Sequence, residues 1–290
     1  MNVNSRSFVY SCDSSGLKEL ATILAMSKIK LIAIDQDGTL LNDNGSVSER
    51  NIRAVQTAVS RGIQVIIATG KTYASAVPVM AKLGLQAPGV FTQGLVICNA
   101  DGSVRYERAL DKETAVQLIQ FAEDRQLPQC AYCGPRILAP YPNEYQRLLN
   151  EKYHEPPLEI SGPLLDIIDD IQINKFLISD EITNDETRRQ LKALVGDNAT
   201  VTQAVPEYIE VLPLGASKGH GVQILLDDLG IQPEEMLAIG DGENDIEMLQ
   251  MAGVGVAVEN GRTAVKAIAD YITSDNNHSG VAEAIEKFVL

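Results

Sequence analysis

Strand-like and helix-like segments alternate near both ends of this chain, and this alternation limits its fold more than any other feature. Four strand-like segments are almost continuously apolar, at residues 30–35, 63–70, 235–240 and 253–258. Unbroken apolar runs are typical of strands buried on both faces, whereas a strand with one wet face alternates apolar and polar residues. The pattern therefore predicts an α/β fold built on a doubly wound parallel sheet, with helices on both faces.

The helix-like segments lie between these strands, as a sheet of this kind requires. Ser48 is expected to cap the first of them, which continues to about residue 60. Further helices are predicted at residues 73–83, 218–229, 244–252, 262–269 and 281–289, and a further short strand near Val90.

The middle of the chain, residues 109–205, has a different pattern of predicted helices and strands. It contains an amphipathic helix pattern at 111–126, a proline-rich stretch, a strand-like segment at 171–180 and a second helix pattern that ends at Gly196. We interpret this region as a separate α+β unit, inserted between two parts of one sheet.

The predicted domain organisation follows from that insertion. Residues 28–108 form the first part of the core, residues 109–205 the inserted unit, and residues 206–290 the second part of the core. Residues 1–27 lack the apolar centre of a signal peptide, so we expect either a disordered leader or the remnant of an organelle-targeting segment. The expected location is the cytoplasm, or an organelle such as a plastid if the leader is a targeting remnant.

The composition narrows the class of partner. The 290 residues carry a formal net charge of −15. This charge argues against nucleic acid or an anionic membrane surface as a partner, because both need clustered Lys and Arg. No apolar run approaches the roughly 18 residues that a membrane-spanning helix needs. An anionic substrate would have to be held against this field by a metal ion or by a few well-placed cations.

Two of the four cysteines, Cys130 and Cys133, have CxxC spacing. No second pair and no nearby His completes a zinc site. We therefore predict reduced thiols without a metal or redox role.

The segment "LIAIDQDGTLL" places two carboxylates, Asp35 and Asp37, directly after the first predicted strand. Residues two apart in an extended chain point the same way, so both carboxylates can face one small volume. Two such charges repel, which raises the pKa of one of them and favours a divalent cation or a shared proton. Taken alone, the segment is also compatible with an exposed Asp-Gly turn.

A second acidic cluster follows another predicted strand. The segment "IGDGENDIEML" contains Asp241, Glu243, Asn244 and Asp245 at the start of a helix. Oxygen ligands on a short loop suit a hard cation such as Mg2+. Helix capping would explain Asn244 or Asp245, but it does not explain Asp241.

Two further loops carry groups suited to a phosphate. In "IIATGKT", Thr69 ends a predicted strand and Gly70 follows, so a hydroxyl and a backbone amide are available for a phosphate oxygen. In "GASKGHG", Lys218 opens a helix after a strand-like segment. The nucleotide-binding P-loop and the dinucleotide-binding fingerprint both fail at required glycine positions.

These four segments, in this order, resemble the motifs of the haloacid dehalogenase (HAD) superfamily of phosphotransferases. The pattern of DxDGT, a Thr or Ser, a Lys and GDxxND matches at residues 35–39, Thr69, Lys218 and residues 241–245. The position of the inserted unit is similar to that of the C2-type cap in the Cof-type subfamily. The resemblance covers nearly the whole core and implies a HAD-like, Rossmannoid sheet with an inserted α+β cap domain. Lys71 stands where the family usually has Arg, and Gln-Gly at residues 93–94 replaces a common Asn-Gly.

The resemblance implies a role for each acidic residue. Asp35 would be the nucleophile that forms an aspartyl-phosphate, and Asp37 would act as general acid and base. Mg2+ would be held by Asp35, the backbone carbonyl of Asp37 and Asp241, and Asn244 and Asp245 would support that site.

The other matched residues would bind the phosphate or shape the loop. Thr69, Gly70 and Lys218 would contact the transferring phosphoryl group. Gly38 would let the backbone turn tightly after Asp37. Gln36 is expected to point away from the site and to tolerate change.

The implied activity is that of a Mg2+-dependent phosphatase acting on small phosphate monoesters, such as a sugar phosphate, FMN or a related nucleotide or cofactor phosphate. The cap is expected to set specificity, with Tyr132, Arg136 and Tyr141 as candidate substrate contacts, although packing within the cap would also explain each of them. Two alternatives stay open: a phosphomutase on the same scaffold, and a non-catalytic regulatory protein that binds metal and phosphoester.

Overall fold

The computed structural model describes residues 29–180, 184–205 and 207–290, except for the side chains of residues 144–146 and 204–205. The expected leader at residues 1–27 lies outside the described residues. The strands are β1 (Leu31–Ile34), β2 (Gln64–Ile67), β3 (Gly89–Phe91), β4 (Val96–Cys98), β5 (Val104–Glu107), β6 (Gln129–Cys133), β7 (Arg136–Ala139), β8 (Glu159–Ile160), β9 (Lys175–Ile178), β10 (Ala199–Val205), β11 (Tyr208–Pro213), β12 (Met236–Gly240), β13 (Val254–Val258) and β14 (Tyr271–Thr273). The α-helices are α1 (Glu49–Ser60), α2 (Tyr73–Leu83), α3 (Lys112–Asp124), α4 (Glu144–Glu151), α5 (Asn184–Val195), α6 (Lys218–Leu229), α7 (Ile246–Met251), α8 (Thr263–Ile268) and α9 (Gly280–Phe288).

The core sheet is parallel throughout, with the strand order β14-β13-β12-β1-β2. In β1, Ile32 and Ile34 pack on one face with α1, α2 and α9. Leu31 and Ala33 pack on the other face with α6, α7 and α8. Both faces of the sheet are therefore covered, and the predicted doubly wound α/β fold is confirmed.

The core helices begin and end within two residues of their predicted bounds, whereas α4 of the cap was not predicted. Ser48 caps α1, because its side chain accepts a hydrogen bond from the Asn51 N–H at 3.1 Å. Both α2 and α6 match their predicted bounds to the residue. Among the described residues, no helix combines the length and the apolar composition that crossing a bilayer requires.

Apolar runs in the sequence do not reveal three short strands outside the cap, β4, β5 and β14. In the cap they also do not reveal β6, β7, β8 and β10. β4 and β5 form a small antiparallel sheet with β3. β5 is mostly exposed and carries Arg105 and Glu107, so it has no apolar run to mark it. β14 is a three-residue edge strand of the core sheet.

The inserted unit is an α+β cap, as predicted. Its sheet has the order β10-β11-β9-β6-β7-β8, and α3 and α5 cover one face in a cluster that includes Leu118, Phe176 and Leu191. Since β11 pairs with both β10 and β9, the predicted boundary between residues 205 and 206 falls inside a hairpin of the cap sheet. We place the return to the core after Pro213 instead. The apolar run of β11 has the same pattern as a core strand, which explains the difference.

One close backbone contact in the core fixes where α6 begins. Gly94 has a φ of +85°, and a Cβ at this position would lie 1.9 Å from the carbonyl oxygen of Ser217. Ser217 is the N-cap residue of α6, and its hydroxyl accepts a hydrogen bond from the His220 N–H at 3.0 Å. Only glycine fits at position 94, and the next residue after Ser217 is Lys218.

We expect Gly94→Ala to destabilise the protein more than Gly62→Ala. The two glycines have φ values of +85° and +84°, but a Cβ at Gly62 would meet no atom within 4 Å. The Gly62 variant should lose about 1–2 kcal/mol through backbone strain alone. The Gly94 variant should lose a further ~1–3 kcal/mol or more through overpacking. Urea-induced unfolding measures both losses, and equal losses would contradict the tight contact.

Candidate active site

The carboxyl ends of β1, β2 and β12 meet at one edge of the core sheet, and the cap lies over this edge. The cavity between core and cap has a volume of about 480 Å³. Most of the core residues predicted for the site line it: Asp35, Asp37, Thr69, Gly70, Lys218, Asp241 and Asn244. Asp245 is fully buried beside them. Folding therefore collects the four separate motifs around one cavity.

Lys218 is the centre of a buried charge cluster. Its Nζ donates to Asp35 Oδ1 at 2.5 Å and to Asp245 Oδ1 at 2.7 Å. The Lys218 side chain is only 2% exposed. One cation thus joins the loop after β1 to the loop after β12, through carboxylates on each.

Burial shifts the pKa of every group in this cluster. It raises the pKa of Asp35 to about 6, against the opposing attraction of Lys218. It also raises the pKa of Asp241 and of Asp245, and repulsion between neighbouring carboxylates adds to both shifts. Burial lowers the pKa of Lys218, but attraction to Asp35 and Asp245 outweighs it, so the net shift is upward. The cluster contains three carboxylates and only one ammonium group, so a divalent cation would offset the remaining negative charge.

Asp37 stands apart from this cluster. Its carboxylate accepts a hydrogen bond from Lys71 Nζ at 2.7 Å, and its side chain is 46% exposed. It also raises the pKa of Asp35 less than Asp241 does. The repulsion predicted between Asp35 and Asp37 is therefore the weaker one, because folding brings Asp241 close and leaves Asp37 near water.

Asp241 is oriented by the DGT part of the first motif. Thr39 Oγ1 donates to Asp241 Oδ1 at 3.1 Å. Gly38 has a φ of +81°, and a Cβ there would lie 2.7 Å from Asp241 Oδ2. The Gly38 carbonyl accepts a hydrogen bond from Asn260 Nδ2 at 2.7 Å. The tight turn expected at Gly38 is present, and it also makes room for the second acidic loop.

The donor atoms of the cluster suit a hard metal ion. Carboxylate oxygens of Asp35, Asp241 and Asp245 lie within 4.8 Å of one another, and all-oxygen sites are typical of Mg2+ and Ca2+. Asp245 already uses both oxygens: Oδ1 accepts from Lys218, and Oδ2 accepts from the N–H groups of Asp241 at 3.0 Å and Gly242 at 2.9 Å. Asp35 and Asp241 are the members that face the cavity. Asp245 is placed to support the loop that carries Asp241.

The loop after β2 presents Thr69 and Gly70 to the cavity. Thr69 Oγ1 accepts a hydrogen bond from the Lys71 N–H at 3.2 Å, which tightens the loop. The Gln93 N–H donates to the Thr69 carbonyl at 3.3 Å, and Gln93 Oε1 accepts from Asn244 Nδ2 at 3.1 Å. Asn244 thus links the second acidic loop to the loop that carries Thr69.

Glu155 ties the cap to the core, although no motif marks it in the sequence. Its Oε2 accepts hydrogen bonds from Thr72 Oγ1 at 2.8 Å and from Ser75 Oγ, at the N-terminus of α2. Tyr132 Oη donates to its Oε1 at 3.3 Å. A carboxylate is favoured at a helix N-terminus by the exposed N–H groups and the helix dipole. Glu155 therefore holds the cap beside the loop that carries Thr69.

The three candidate substrate contacts of the cap are separated in the structure. Tyr132 lies in the cavity wall. Arg136 forms an exposed ion pair with Glu159, with Nη2 and Oε2 2.6 Å apart. Tyr141 is 42% exposed. Neither Arg136 nor Tyr141 belongs to the cavity wall.

Cys130 and Cys133 point to opposite faces of β6. Cys130 packs with Tyr132 on one face, and Cys133 packs against the cap core on the other. Burial raises the pKa of each thiol to about 12, so both are protonated at neutral pH. Both are free cysteines, and their orientation prevents them from sharing one metal ion.

Comparison with known proteins assigns the family. The model of a family described as haloacid dehalogenase-like hydrolase matches residues 32–285. The chain belongs to the haloacid dehalogenase-like hydrolase family. This finding confirms the resemblance that the four motifs carry.

Individual proteins and solved structures are similar to this HAD-like hydrolase over most of its length. An Arabidopsis thaliana protein named as the chloroplastic endoribonuclease YBEY is 37% identical over 274 residues, which are 91% of this chain and 47% of that protein, so the chain spans about half its length. A Bacillus subtilis protein named 5-amino-6-(5-phospho-D-ribitylamino)uracil phosphatase is 31% identical over 264 residues, which are 90% of this chain and 96% of the relative. A crystal structure of a haloacid dehalogenase-like hydrolase from Bacteroides thetaiotaomicron is 30% identical, with a TM-score of 0.82 over 90% of this chain and 99% of that one. The predicted fold and the predicted phosphatase class of enzyme are confirmed.

Besides Glu155, sequence reasoning misses two further buried charged residues of this HAD-like hydrolase that line the cavity from the cap side. Lys175 and Glu210 belong to β9 and β11, and both are buried. The signal that marks them is a charged residue inside an otherwise apolar strand, in "KFLI" and "YIEVLP". Buried charges in such strands are uncommon unless they are paired or bind something.

We expect Lys218→Met to destabilise the metal-free protein by about 3–5 kcal/mol, because Asp35 and Asp245 lose their shared cation while staying buried. Adding Asp245→Asn should recover part of that loss, since one of the two stranded charges is then removed. Urea-induced unfolding in a chelator at neutral pH measures both variants.

Lys30→Met is the matched control for this test. Lys30 pairs with Glu235 at 2.8 Å, but its side chain is 59% exposed, so this variant should lose less than about 1 kcal/mol. Similar losses for the Lys218 and Lys30 variants would contradict the central place of Lys218 in the buried cluster.

Proposed function

We propose that the protein is a Mg2+-dependent phosphatase that hydrolyses small phosphate monoesters through an aspartyl-phosphate on Asp35. The observation that carries the proposal is the position of Asp35, which lies in the cavity wall, 2.5 Å from Lys218 Nζ and close to the Asp241 carboxylate. A buried carboxylate beside a cation and a second acid suits a nucleophile that must approach an anionic phosphoryl group.

The donor set suits Mg2+ in the arrangement that the family resemblance implies. Asp35, the backbone carbonyl of Asp37 and Asp241 would hold the ion, with Asp245 and Asn244 supporting the loop. When bound, the ion would offset the repulsion between the Asp35 carboxylate and the phosphate dianion.

The first half-reaction transfers the phosphoryl group to Asp35. A carboxylate oxygen of Asp35 forms a bond to phosphorus while the bond from phosphorus to the ester oxygen breaks, and the bonding electrons leave with that oxygen. Asp37 donates a proton to the departing alkoxide. Thr69 Oγ1, the Gly70 N–H and Lys218 Nζ donate hydrogen bonds to the phosphoryl oxygens, on which charge spreads in the transition state.

The second half-reaction regenerates the enzyme. Asp37, now ionised, accepts a proton from a water molecule that attacks phosphorus, and the bond between phosphorus and Asp35 breaks. The exposed position of Asp37 gives it access to water. Its hydrogen bond from Lys71 at 2.7 Å would hold it in place during both steps.

The proposed substrate class is small phosphate monoesters. A cavity of about 480 Å³ is large enough for a small phosphate ester. The Bacillus subtilis relative is named as a phosphatase for a ribitylamino-uracil phosphate, which supports including flavin-related phosphates and FMN beside sugar phosphates. The name of the Arabidopsis relative supports the plastid alternative for the compartment.

We expect Asp35→Asn to lower the release of phosphate from p-nitrophenyl phosphate by about 10³-fold or more, because an amide cannot form the acyl-phosphate. Gln36→Met is the matched control. Gln36 is buried next to Asp35, does not line the cavity, and its Oε1 has no hydrogen-bond partner among the described residues. The control should keep wild-type turnover within about threefold. Equal release by wild type and Asp35→Asn would overturn the proposed mechanism.

We expect saturating Mg2+ to stabilise the wild-type protein, by about 2.7 kcal/mol at a hundredfold excess over the dissociation constant. Asp241→Asn should lose most of this gain, because it removes a cavity-facing carboxylate of the cluster. Asp228→Asn should retain the gain, since Asp228 pairs with Arg105 on the surface. Thermal unfolding with Mg2+ and with a chelator gives the three shifts. An unchanged shift in Asp241→Asn would remove Asp241 from the metal site.

A further inference from the structure

The cap sheet has one face that covers the active site, here called the roof. Alternate residues of β6, β9 and β11 form it: Tyr132, Lys175, Leu177, Tyr208 and Glu210, all of which line the cavity. Tyr132 lies opposite Lys175 across the strand pair, and Glu210 lies opposite Leu177. The intervening residues point the other way, into the cap core. The roof therefore faces whatever group is attached to the phosphate.

Two of the roof residues are charged and buried, and their hydrogen bonding is incomplete. Lys175 is 4% exposed and Glu210 is 6% exposed. Lys175 Nζ lies 3.9 Å from Glu210 Oε1, which is too far for a hydrogen bond. Glu210 Oε2 has no hydrogen-bond partner among the described residues. Charged groups removed from water in this way are costly unless another group completes their bonding.

The pair lies close to the reaction centre. Lys175 Nζ donates a long hydrogen bond of 3.4 Å to the carbonyl of Gly70, next to Thr69 in the phosphate-binding loop. A group that contacts Lys175 would therefore be near the ester oxygen. Lys175 and Glu210 are therefore placed to contact the atoms of the leaving group that are nearest the ester oxygen. More distant parts of a larger substrate would lie beyond these two residues.

Lys175 also covers one face of the nearby Tyr132 ring. Its Nζ lies 4.0 Å from the centroid of the Tyr132 ring, a cation–π distance. That face of Tyr132 is therefore not free to stack on a planar ring. Near the phosphate, the roof offers an ammonium donor and a carboxylate acceptor in place of an aromatic platform.

We infer that Lys175 and Glu210 bind hydroxyl groups of the leaving group, so that the site selects phosphate esters of polyhydroxylated carbon chains or rings. This inference rests on the proposed function and assigns two specificity-determining residues to it. A hydroxyl both accepts from an ammonium group and donates to a carboxylate. An alkyl leaving group would leave both charges unpaired, and a second anionic group would repel Glu210.

The test compares ribitol 5-phosphate with n-pentyl phosphate, which has the same number of carbons and no hydroxyl. Wild type should prefer ribitol 5-phosphate in kcat/KM by about 10- to 100-fold or more. Glu210→Leu and Lys175→Met should each lower that preference by about tenfold. Both should act by reducing turnover of ribitol 5-phosphate, with n-pentyl phosphate kept within about threefold. Glucose 6-phosphate, tested in the same way, separates recognition of an open chain from recognition of a ring.

Matched controls come from the same cap. Glu159→Leu removes an exposed carboxylate of the cap sheet that pairs with Arg136, and Lys112→Met removes an exposed cation that pairs with Asp169. Neither residue lines the cavity, and both variants should keep the wild-type preference. Glu210→Gln preserves the size of the side chain and serves if Glu210→Leu does not fold.

Failure of this inference differs from failure of the proposed function. An unchanged preference in the Lys175 and Glu210 variants, with full turnover, would overturn the inference alone. An equal loss of turnover on both substrates would assign Lys175 and Glu210 a general role, and this result would also overturn the inference. If no ester is hydrolysed, calorimetry tests the inference by binding. Hydroxyl recognition without catalysis would be supported if wild type binds ribitol 5-phosphate more tightly than inorganic phosphate and Glu210→Leu does not. Equal binding of the two ligands to wild type would overturn hydroxyl recognition as well.

Discussion

The contact of Lys218 with Asp35 and Asp245 is the interaction on which the rest of the site depends. An ammonium group in a dry environment is stable only beside negative charge, and these two carboxylates are stable there largely because of it. The contact joins the ends of two neighbouring strands, β1 and β12, to the first turn of α6. Its strength requires that α6 begin at one position, which the backbone contact at Gly94 sets.

This cluster also explains why a metal ion suits the site. Asp35, Asp241 and Asp245 bring three carboxylates within a few ångströms of one another, and Lys218 supplies one positive charge. Burial raises the pKa of Asp35 to about 6, which brings the protonation of this carboxylate close to neutral pH, and a nucleophile must be ionised to react. A divalent cation in contact with these oxygens would favour the ionised form. The chain as a whole carries a net negative charge, so its overall electrostatic field does not supply the positive charge that the site requires.

The two faces of the cap sheet differ in character. One face is apolar and packs on α3 and α5. The other carries Tyr132, Lys175 and Glu210 over the cavity, and Glu155 holds it against the start of α2. In the proposed mechanism the core motifs contact only the phosphate and the metal ion, so they place no demand on the roof. The proposal therefore assigns catalysis to the core sheet and specificity to the cap sheet.

Much of the core could be predicted because its signals are local. An unbroken apolar run marks a doubly buried strand, and a Ser or Gly at the right position marks a helix end, as Ser48 does for α1 and Gly196 does for α5. The boundary after residue 205 was wrong by one strand, because the pattern of β11 does not tell which sheet it joins. The prediction of Arg136 and Tyr141 as substrate contacts depends on residue type in an irregular stretch, and both residues lie away from the cavity wall.

The sequence by itself determined four of the five strands of the core sheet, the four motif loops and the residue types of the proposed chemistry, since each depends on residues near one another in the chain. Only the tertiary structure decided which charges meet. It paired Lys218 with Asp35 and Asp245, paired Lys71 with Asp37, and placed Lys175 and Glu210 over the site. Those pairings join residues far apart in the chain, and the free energy of a buried charge depends on its neighbours in space.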